Sequence, residues 1–342
     1  MIDMHAHWRP VELMDALRGR EKEPRIMKNA QGVEVLKMRG APDTTLDKAF
    51  DEVDFHLEKM ERHGVTTSVL SLLGAFCWIE SQPLEQSIPL CRLYNDSVSK
   101  LCQQNEGRFL AYAATPLRDI KAAAAELDRA MGLPGIVGAQ LPADAFANYK
   151  DAQPMRALLE VAHRRRGILF IHYGGLPGQP FPHFPNDIDN ARRRNGTLDM
   201  QANLSAAMIT LCMTDLLDDY PEAMIHVHNL GGNLPYEVER MDHRCLLDTP
   251  EEELPSVRLR RSKVYVDCNS FGPHAIEAGV RLYGAERIIC GTDGTDFGCD
   301  WTNKALKDAQ IGDEARRKIA HGNAERMLAH LGKLAQPEKL AA

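Results

Sequence analysis

Short apolar runs recur along the chain, and apolar residues between them repeat every three or four positions. The runs that follow the first one at the N-terminus are Val65–Leu73, Arg108–Ala114, Gly135–Leu141, Gly167–His172, Ala223–His228, Val264–Cys268 and Arg287–Gly291. Such runs predict buried strands, and the spacing between them predicts helices. Because each helix must return the chain to the same end of the sheet, some eight repeats require parallel strands. We therefore expect an α/β fold, a (β/α)8 TIM barrel.

A doubly wound open sheet is the alternative architecture, but no Gly-x-Gly-x-x-Gly motif follows the first strand. No Ser/Gly-rich or charged linker divides the 342 residues, so a single barrel domain over 1–342 is expected. Insertions are expected at about 8–44 and 173–197, and closing helices at 302–335.

The first insertion reads as irregular between His7 and Pro42. A helix is expected to open at Asp43-Thr44-Thr45 and to end at His63-Gly64, where the glycine would cap it. Its apolar face runs through Phe50, Val53, Leu57 and Met60.

Composition excludes several classes of protein. The net charge of −7 gives no indication of nucleic-acid binding, and no apolar run approaches the roughly 18 residues of a membrane span. The N-terminal residues show no signal pattern. Eight cysteines form no C-x-x-C pair, which favours reduced thiols in a cytoplasmic protein.

His5 and His7 stand one residue apart at the end of the first predicted strand. Because side chains alternate across a strand, both imidazoles point to one side, roughly 6.5–7 Å apart along the backbone. Two imidazoles so placed are half of a metal site. The alternative, two histidines on a solvated strand face, is weakened because Ile2, Met4 and Ala6 indicate a half-buried strand.

Later strands end in the missing ligand types. His172 ends an apolar run, and Asp293 follows the last strand, where a carboxylate would bind a metal or hold its water. His226 and His228 share a strand face. His228 is nearer the carboxyl end and is the candidate acid or base, whereas His226 is expected to be satisfied inside the barrel.

Three imidazoles and one carboxylate suit one divalent metal per chain, Zn²⁺ first, with Mn²⁺ or Fe²⁺ as alternatives. Water bound to such an ion reaches a pKa of about 7 and supplies hydroxide at neutral pH. The pattern therefore predicts catalysis.

Four motifs together resemble the amidohydrolase superfamily, in the branch typified by aminocarboxymuconate semialdehyde decarboxylase. They are His5-Ala-His7-Trp-Arg-Pro10, Phe170-Ile-His172, Gly291-Thr-Asp293 and Gly322-Asn323-Ala324. The resemblance covers nearly the whole chain and implies a barrel of the metal-dependent hydrolase type. It also implies a single metal held by His5, His7, His172 and Asp293, with catalytic His228 beside it activating water.

The resemblance further implies a homodimer. In the decarboxylase, the arginine of a Pro-Tyr-x-x-x-Arg segment, here Pro235-Tyr236 and Arg240, reaches the neighbouring subunit's substrate carboxylate. An ordinary helix-surface charge is the alternative for Arg240. The spacing from His228 to Pro235 exceeds the family's by one residue, so an ungapped alignment places Asn229 at the base position. The family's Gly-Thr-Asp-Tyr-Pro is also replaced by Gly-Thr-Asp-Gly-Thr-Asp.

Arginines and aromatic residues near the predicted site suggest an aromatic carboxylate substrate, because guanidinium groups bind carboxylates bidentately. The arginines are Arg9, Arg192–Arg194 and Arg240, and the aromatic residues are Trp8, Phe76, Trp78, Tyr173, Phe181 and Phe184. The candidate substrate contacts are Trp8, Arg9, Tyr173, Arg193 and Arg240. Loop packing and a solvated arginine face are the alternatives.

The leading hypothesis is a hydrolase in which metal-activated water cleaves a C–C bond in a carboxylated ring-fission product. The same branch includes a hydrolase for the ring-fission product of lignin-derived biphenyls, which the chain resembles at His5/His7 and at 229–232. The closest alternative is a nonoxidative decarboxylase of an aminocarboxymuconate-semialdehyde-like or aromatic carboxylate. A metal-free barrel that binds a ligand without turnover is the alternative from a different class.

Overall fold

The computed structural model describes residues 1–38, 43–72, 79–181, 183 and 189–332, without the side chain of Arg192. Within these residues, eight strands form one sheet in which every neighbouring pair is parallel. They are β1 Ile2–Trp8, β2 Thr67–Leu72, β3 Phe109–Ala113, β4 Ile136–Pro142, β5 Ile168–His172, β6 Met224–Val227, β7 Val264–Asp267 and β8 Ile288–Ile289.

Helices alternate with these strands. They are α1 Val11–Arg18, α2 Lys48–Asp51, α3 Val53–His63, α4 Leu84–Gln104, α5 Ile120–Ala130, α6 Tyr149–Ala152, α7 Arg156–Arg165, α8 Ala191–Arg193, α9 Met200–Met213, α10 Leu234–Asp248, α11 Pro255–Arg261, α12 Pro273–Tyr283, α13 Asp296–Asp308, α14 Gly312–Arg317 and α15 Asn323–His330. Among the described residues, none of the helices is long and apolar enough to cross a bilayer.

The spatial order of the strands follows the order of the chain from β1 to β8. A doubly wound sheet reverses its order at a switch point, so this alternative is wrong. The α/β class with eight parallel strands is confirmed. Backbone hydrogen bonds also run from Met4 N to Cys290 O at 2.9 Å and from Asp293 N to His5 O at 2.8 Å, which brings the segment after β8 against β1.

The first insertion is more regular than expected. It contains α1, whose Leu13, Met14 and Leu17 are buried, and a three-stranded antiparallel sheet of Arg25–Lys28, Glu34–Lys37 and Thr44–Thr45. The dense charges of this stretch concealed the short apolar spacing.

The predicted helix start was wrong, because Thr44–Thr45 is extended and the helix begins at Lys48, where the Asp47 side chain accepts from Ala49 N. The C-terminal prediction was correct. Gly64 adopts a left-handed conformation, with φ 67° and ψ 30°, and caps α3.

A β-bulge in β1 changes the side of the strand to which its side chains point. The register of β1 on β2 shifts between Asp3 and Ala6. Ile2 and Met4 belong to a small apolar cluster with Tyr112 and Phe170, whereas Ala6 packs in the larger cluster. Strict alternation would put Met4 and His5 on opposite faces, and a bulge changes that relation.

Candidate metal centre

The side chains of His5, His7 and Asp293 lie close together at the carboxyl ends of β1 and β8. The Nε2 atoms of His5 and His7 are 3.3 Å apart. Asp293 Oδ1 lies 2.9 Å from His7 Nε2 and 3.6 Å from His5 Nε2. Atoms that bind one ion at about 2.0–2.1 Å lie roughly 3 Å from each other, so this group has the spacing of a coordination sphere.

His172 and His228 complete the cluster around His5. One ring nitrogen from each of these three histidines lies within 4.8 Å of the others. The rings of His172 and His228 stack at 4.3 Å. The backbone of Tyr173 holds both of them, because its carbonyl lies 2.8 Å from His172 Nδ1 and its N–H donates to His228 Nε2 at 2.8 Å.

Asp267 at the end of β7 orients His5 from behind. Its carboxylate accepts from His5 Nδ1 at 3.0 Å, from His226 Nε2 at 2.8 Å and from the backbone N–H groups of Asn229 and Asn269 at 3.0 Å each. Such partners fix the tautomer of a metal-binding histidine. Sequence reasoning missed Asp267, although its place after Val264-Tyr-Val was the same strand-end signal that identified Asp293.

The hydrogen bonds decide where the imidazole protons lie. His5 Nδ1 donates to Asp267 and His172 Nδ1 donates to a carbonyl, so both Nε2 atoms carry lone pairs. Ser71 lies 3.1 Å from Ala6 O and 2.9 Å from His7 Nδ1, which frees His7 Nε2 when the serine donates to the carbonyl. Imidazole lone pairs and a carboxylate oxygen at these distances fit the ligand set of a divalent metal.

Electrostatics favour neutral rings at His172 and His228, whereas burial is outweighed at His5 by Asp267, which raises the pKa of that imidazole. Burial, reinforced by neighbouring histidines, holds the pKa values of His172 and His228 well below the ordinary range. Burial alone would raise the pKa of Asp267, but His5 and His226 outweigh it and lower that pKa well below its usual value. Burial is likewise outweighed at Asp293, where His7, His5 and His172 lower the pKa to about 2.

The loop after β8 is held in an uncommon conformation. Asp293 has φ 61° and Gly294 has φ 73°. Thr292 N donates to Asp3 at 3.0 Å, and buried Lys59 donates to the Gly294 carbonyl. A short polar side chain such as aspartate tolerates the left-handed region better than most residues, so the sequence Thr-Asp-Gly suits this turn.

The structure separates the three candidates for the base position. His228, not Asn229, joins the histidine cluster. The Asn229 side chain instead contacts Met200 Sδ at 3.0 Å and the Asn269 amide at 3.2 Å. His226 is buried between Asp267 and the Tyr112 hydroxyl, which lies 3.2 Å from its Nδ1, in agreement with a satisfied histidine.

The candidate substrate contacts fall in different places. Arg9 is 1% exposed and binds Asp51 through two bonds of 2.8 and 3.0 Å. Trp8 packs edge-on with His56 in the large apolar cluster. The Tyr173 hydroxyl donates to Asp199 at 2.6 Å, whereas Arg193 and Arg240 are exposed. Their substrate roles stay predictions.

Of the other aromatic candidates, Phe181 contacts the Tyr173 ring at 4.7 Å. Phe76, Trp78 and Phe184 lie outside the described residues, as do the side chain of Arg192 and residues 333–335 of the predicted closing helices. Seven described cysteines are buried, and disulfide bonds are absent among them.

The family described as Amidohydrolase matches residues 2–329. The chain belongs to the amidohydrolase family. Gamma-resorcylate decarboxylase of Rhizobium sp. (strain MTP-10005) is 27% identical to this amidohydrolase over 307 residues, which cover 82% of this chain and 88% of the relative.

Solved structures share the fold. The IDCase of Metarhizium anisopliae superposes with a TM-score of 0.78 at 18% identity, over 97% of this chain and 98% of that one. A dihydroxybenzoic acid decarboxylase of Polaromonas sp. JS666, solved with manganese and the inhibitor 2-nitroresorcinol, has a TM-score of 0.65 at 22% identity, over 96% and 97%.

The prediction of C–C hydrolysis by metal-activated water is wrong. Several curated relatives that match most of this chain are gamma-resorcylate decarboxylases. A decarboxylase breaks its C–C bond without consuming water, so the water-activating role predicted for His228 loses its basis. The resemblance to the superfamily branch is confirmed.

Proposed function

We propose that this chain is a metal-dependent, nonoxidative decarboxylase of hydroxylated benzoates. The observation that carries the proposal is the convergence of His5, His7, His172 and Asp293, supported by the similarity to gamma-resorcylate decarboxylase. The proposed (β/α)8 barrel is supported by the hydrogen bonds between β1 and the segment after β8. A single domain over 1–342 remains our proposal.

The proposed ligands are His5, His7, His172 and Asp293. A divalent cation bound by them would act as a Lewis acid toward the substrate's carboxylate and neighbouring hydroxyl oxygens. Manganese is supported by its presence in the Polaromonas decarboxylase, and zinc by the imidazole-rich ligand set.

Arg9 is the arginine that we propose for the substrate carboxylate. Two of its nitrogens bind Asp51, while Nη1 is buried and has no hydrogen-bond partner among the described residues. A buried donor without a partner costs about 1–3 kcal/mol. We propose that this donor binds the substrate carboxylate, which would satisfy it.

The hydrogen bonds of His228 show which ring nitrogen carries its proton. Its Nε2 accepts the Tyr173 N–H, so a neutral ring carries its proton on Nδ1, which has no partner in the described part of the chain. In decarboxylation, the carboxyl carbon leaves as CO2 and its bonding electron pair remains on the ring carbon. We propose that Nδ1 of His228 delivers the proton that this carbon takes up, and that solvent returns a proton to Nδ1, which restores the neutral ring.

The homodimer is also retained as a proposal. It is supported by large apolar side chains that α10 exposes beside Arg240. These are Tyr236 at 58%, Leu246 at 58% and Leu247 at 61% exposure.

Product analysis tests the function. The chain is loaded with Mn²⁺ or Zn²⁺ and incubated in heavy water with 2,6-dihydroxybenzoate that carries carbon-13 at the carboxyl group. We expect labelled CO2 and one aromatic product with deuterium at the vacated position. His228→Gln should lower kcat by about 10²–10⁴-fold without changing the metal content. The proposal would be refuted if no ortho-hydroxybenzoate released labelled CO2. It would also be refuted if water cleaved the substrate into two organic products.

A further inference from the structure

Gln140 on β4 faces the histidine cluster. In the parallel register it pairs with Phe170, and Pro142 pairs with His172 one step further on. Paired residues of adjacent strands point to the same side of a sheet. The Phe170 ring lies 4.9 Å from the His5 ring and 4.3 Å from the His226 ring, so this side is the one that holds the cluster. Gln140 therefore lies at the floor of the candidate site.

The side-chain amide of Gln140 is buried and unpaired within the described part of the chain. The residue is 3% exposed, and neither Nε2 nor Oε1 has a hydrogen-bond partner among the residues that the structure describes. Asn95 on α4 shows how the same chain treats a structural amide. Its Nδ2 donates to Ala114 O at 3.0 Å and to Glu126 at 2.8 Å, and its Oδ1 accepts from Ala114 N at 2.8 Å.

Leaving a buried polar group unpaired costs about 1–3 kcal/mol. A methionine would fill the same length without that cost. Folding alone thus gives no reason for an amide at this position, whereas a ligand that pairs with it does.

The chemistry of the amide selects the kind of ligand group. An amide offers both an acceptor and donors. A carboxylate only accepts and would leave Oε1 unpaired. A phenolic hydroxyl accepts from Nε2 and donates to Oε1, which satisfies both atoms.

We propose that Gln140 determines specificity by binding a ring hydroxyl of the substrate. This inference rests on the proposed decarboxylase function and adds the group that the floor of the site recognises. A site built to bind a hydroxyl group discriminates strongly against an analogue that lacks it.

The test compares wild type with Gln140→Met. Each is assayed with 2-hydroxybenzoate and with the 2,4-, 2,5- and 2,6-dihydroxy isomers. Gln103→Met on the exposed surface of α4 is the control for the exchange itself. We expect wild type to prefer one dihydroxy isomer over 2-hydroxybenzoate, and Gln140→Met to lose about 10- to 100-fold in kcat/KM on that isomer alone. Its melting temperature should equal or exceed that of wild type.

Equal losses on all acids together with a lower melting temperature would show a structural role and overturn the proposal. Unchanged discrimination would overturn it as well. Calorimetric binding of 2-nitroresorcinol separates the two claims. If wild type decarboxylates none of the acids but binds this ligand more tightly than Gln140→Met does, the proposed function fails and the assignment of Gln140 stands. If wild type is active and the two proteins bind equally, only the assignment fails.

Discussion

Buried carboxylates in this chain differ in how far their surroundings satisfy them. Asp267 accepts four hydrogen bonds, two of them from histidines, and its pKa lies well below the usual value although burial opposes this. Glu80 is 3% exposed, and its Oε2 has no partner among the described residues. Burial raises the pKa of Glu80 to about 7 from its usual value of 4.5. The first group is stabilised as an anion, and the second is destabilised as one.

Glu80 should therefore make stability depend on pH. Between about pH 4.5 and 7 the folded state retains a proton that the unfolded state has lost, so stability falls as pH rises through this window. Glu80→Gln removes the charge. The free energy of unfolding of the variant, relative to that of wild type, should therefore rise by about 3 kcal/mol between pH 4 and pH 8. Urea unfolding at the two pH values measures the difference.

Glu106→Gln at an exposed position is the matched control and should show no such change. A constant difference between Glu80→Gln and wild type across the pH range would contradict this account of Glu80.

At the scale of elements, single residues decide where helices end and which way strands face. The bulge in β1 lets Met4 enter the small apolar cluster while His5 and His7 face the site. Alternation predicted a common side for the two histidines but gave no indication of the bulge, because a bulge arises from the pairing of two strands. The glycine after α3, by contrast, was predictable because the left-handed conformation is a local demand.

Two glycines allow the energetic effect of backbone conformation to be measured. Gly64 has φ 67°, and a Cβ added there meets no described atom within 4 Å. Gly64→Ala should thus lose about 1 kcal/mol of unfolding free energy through conformation alone. Gly322 has equally open surroundings but helical angles, φ −61° and ψ −31°. Gly322→Ala should gain about 0.5–1 kcal/mol.

Denaturant unfolding of both variants gives the comparison. Changes of the same sign at the two positions would refute the conformational explanation, because the two substitutions add the same methyl group.

At the scale of the whole molecule, residues distant in the chain meet at one end of a sheet. The sequence was sufficient to predict that His5, His7, His172 and Asp293 lie close together, because strand ends of a parallel sheet share one edge; their role as metal ligands is our proposal. The sequence was insufficient for Asp267 and Gln140. The importance of Asp267 depends on the histidines that donate to it, and that of Gln140 on its unpaired amide, and neither can be read from the sequence. The choice between hydrolysis and decarboxylation was also missed, because both reactions use the same ligands.

The most direct test of the account is the metal content of the purified chain. The protein is stripped with a chelator, supplied with Mn²⁺ or Zn²⁺, desalted and analysed by elemental mass spectrometry. We predict about one ion per chain in wild type and in His243→Ala, a surface control, and well below one in His172→Ala and Asp293→Ala. A wild-type chain without metal, or a His172→Ala variant that retains as much as wild type, would contradict the central claim.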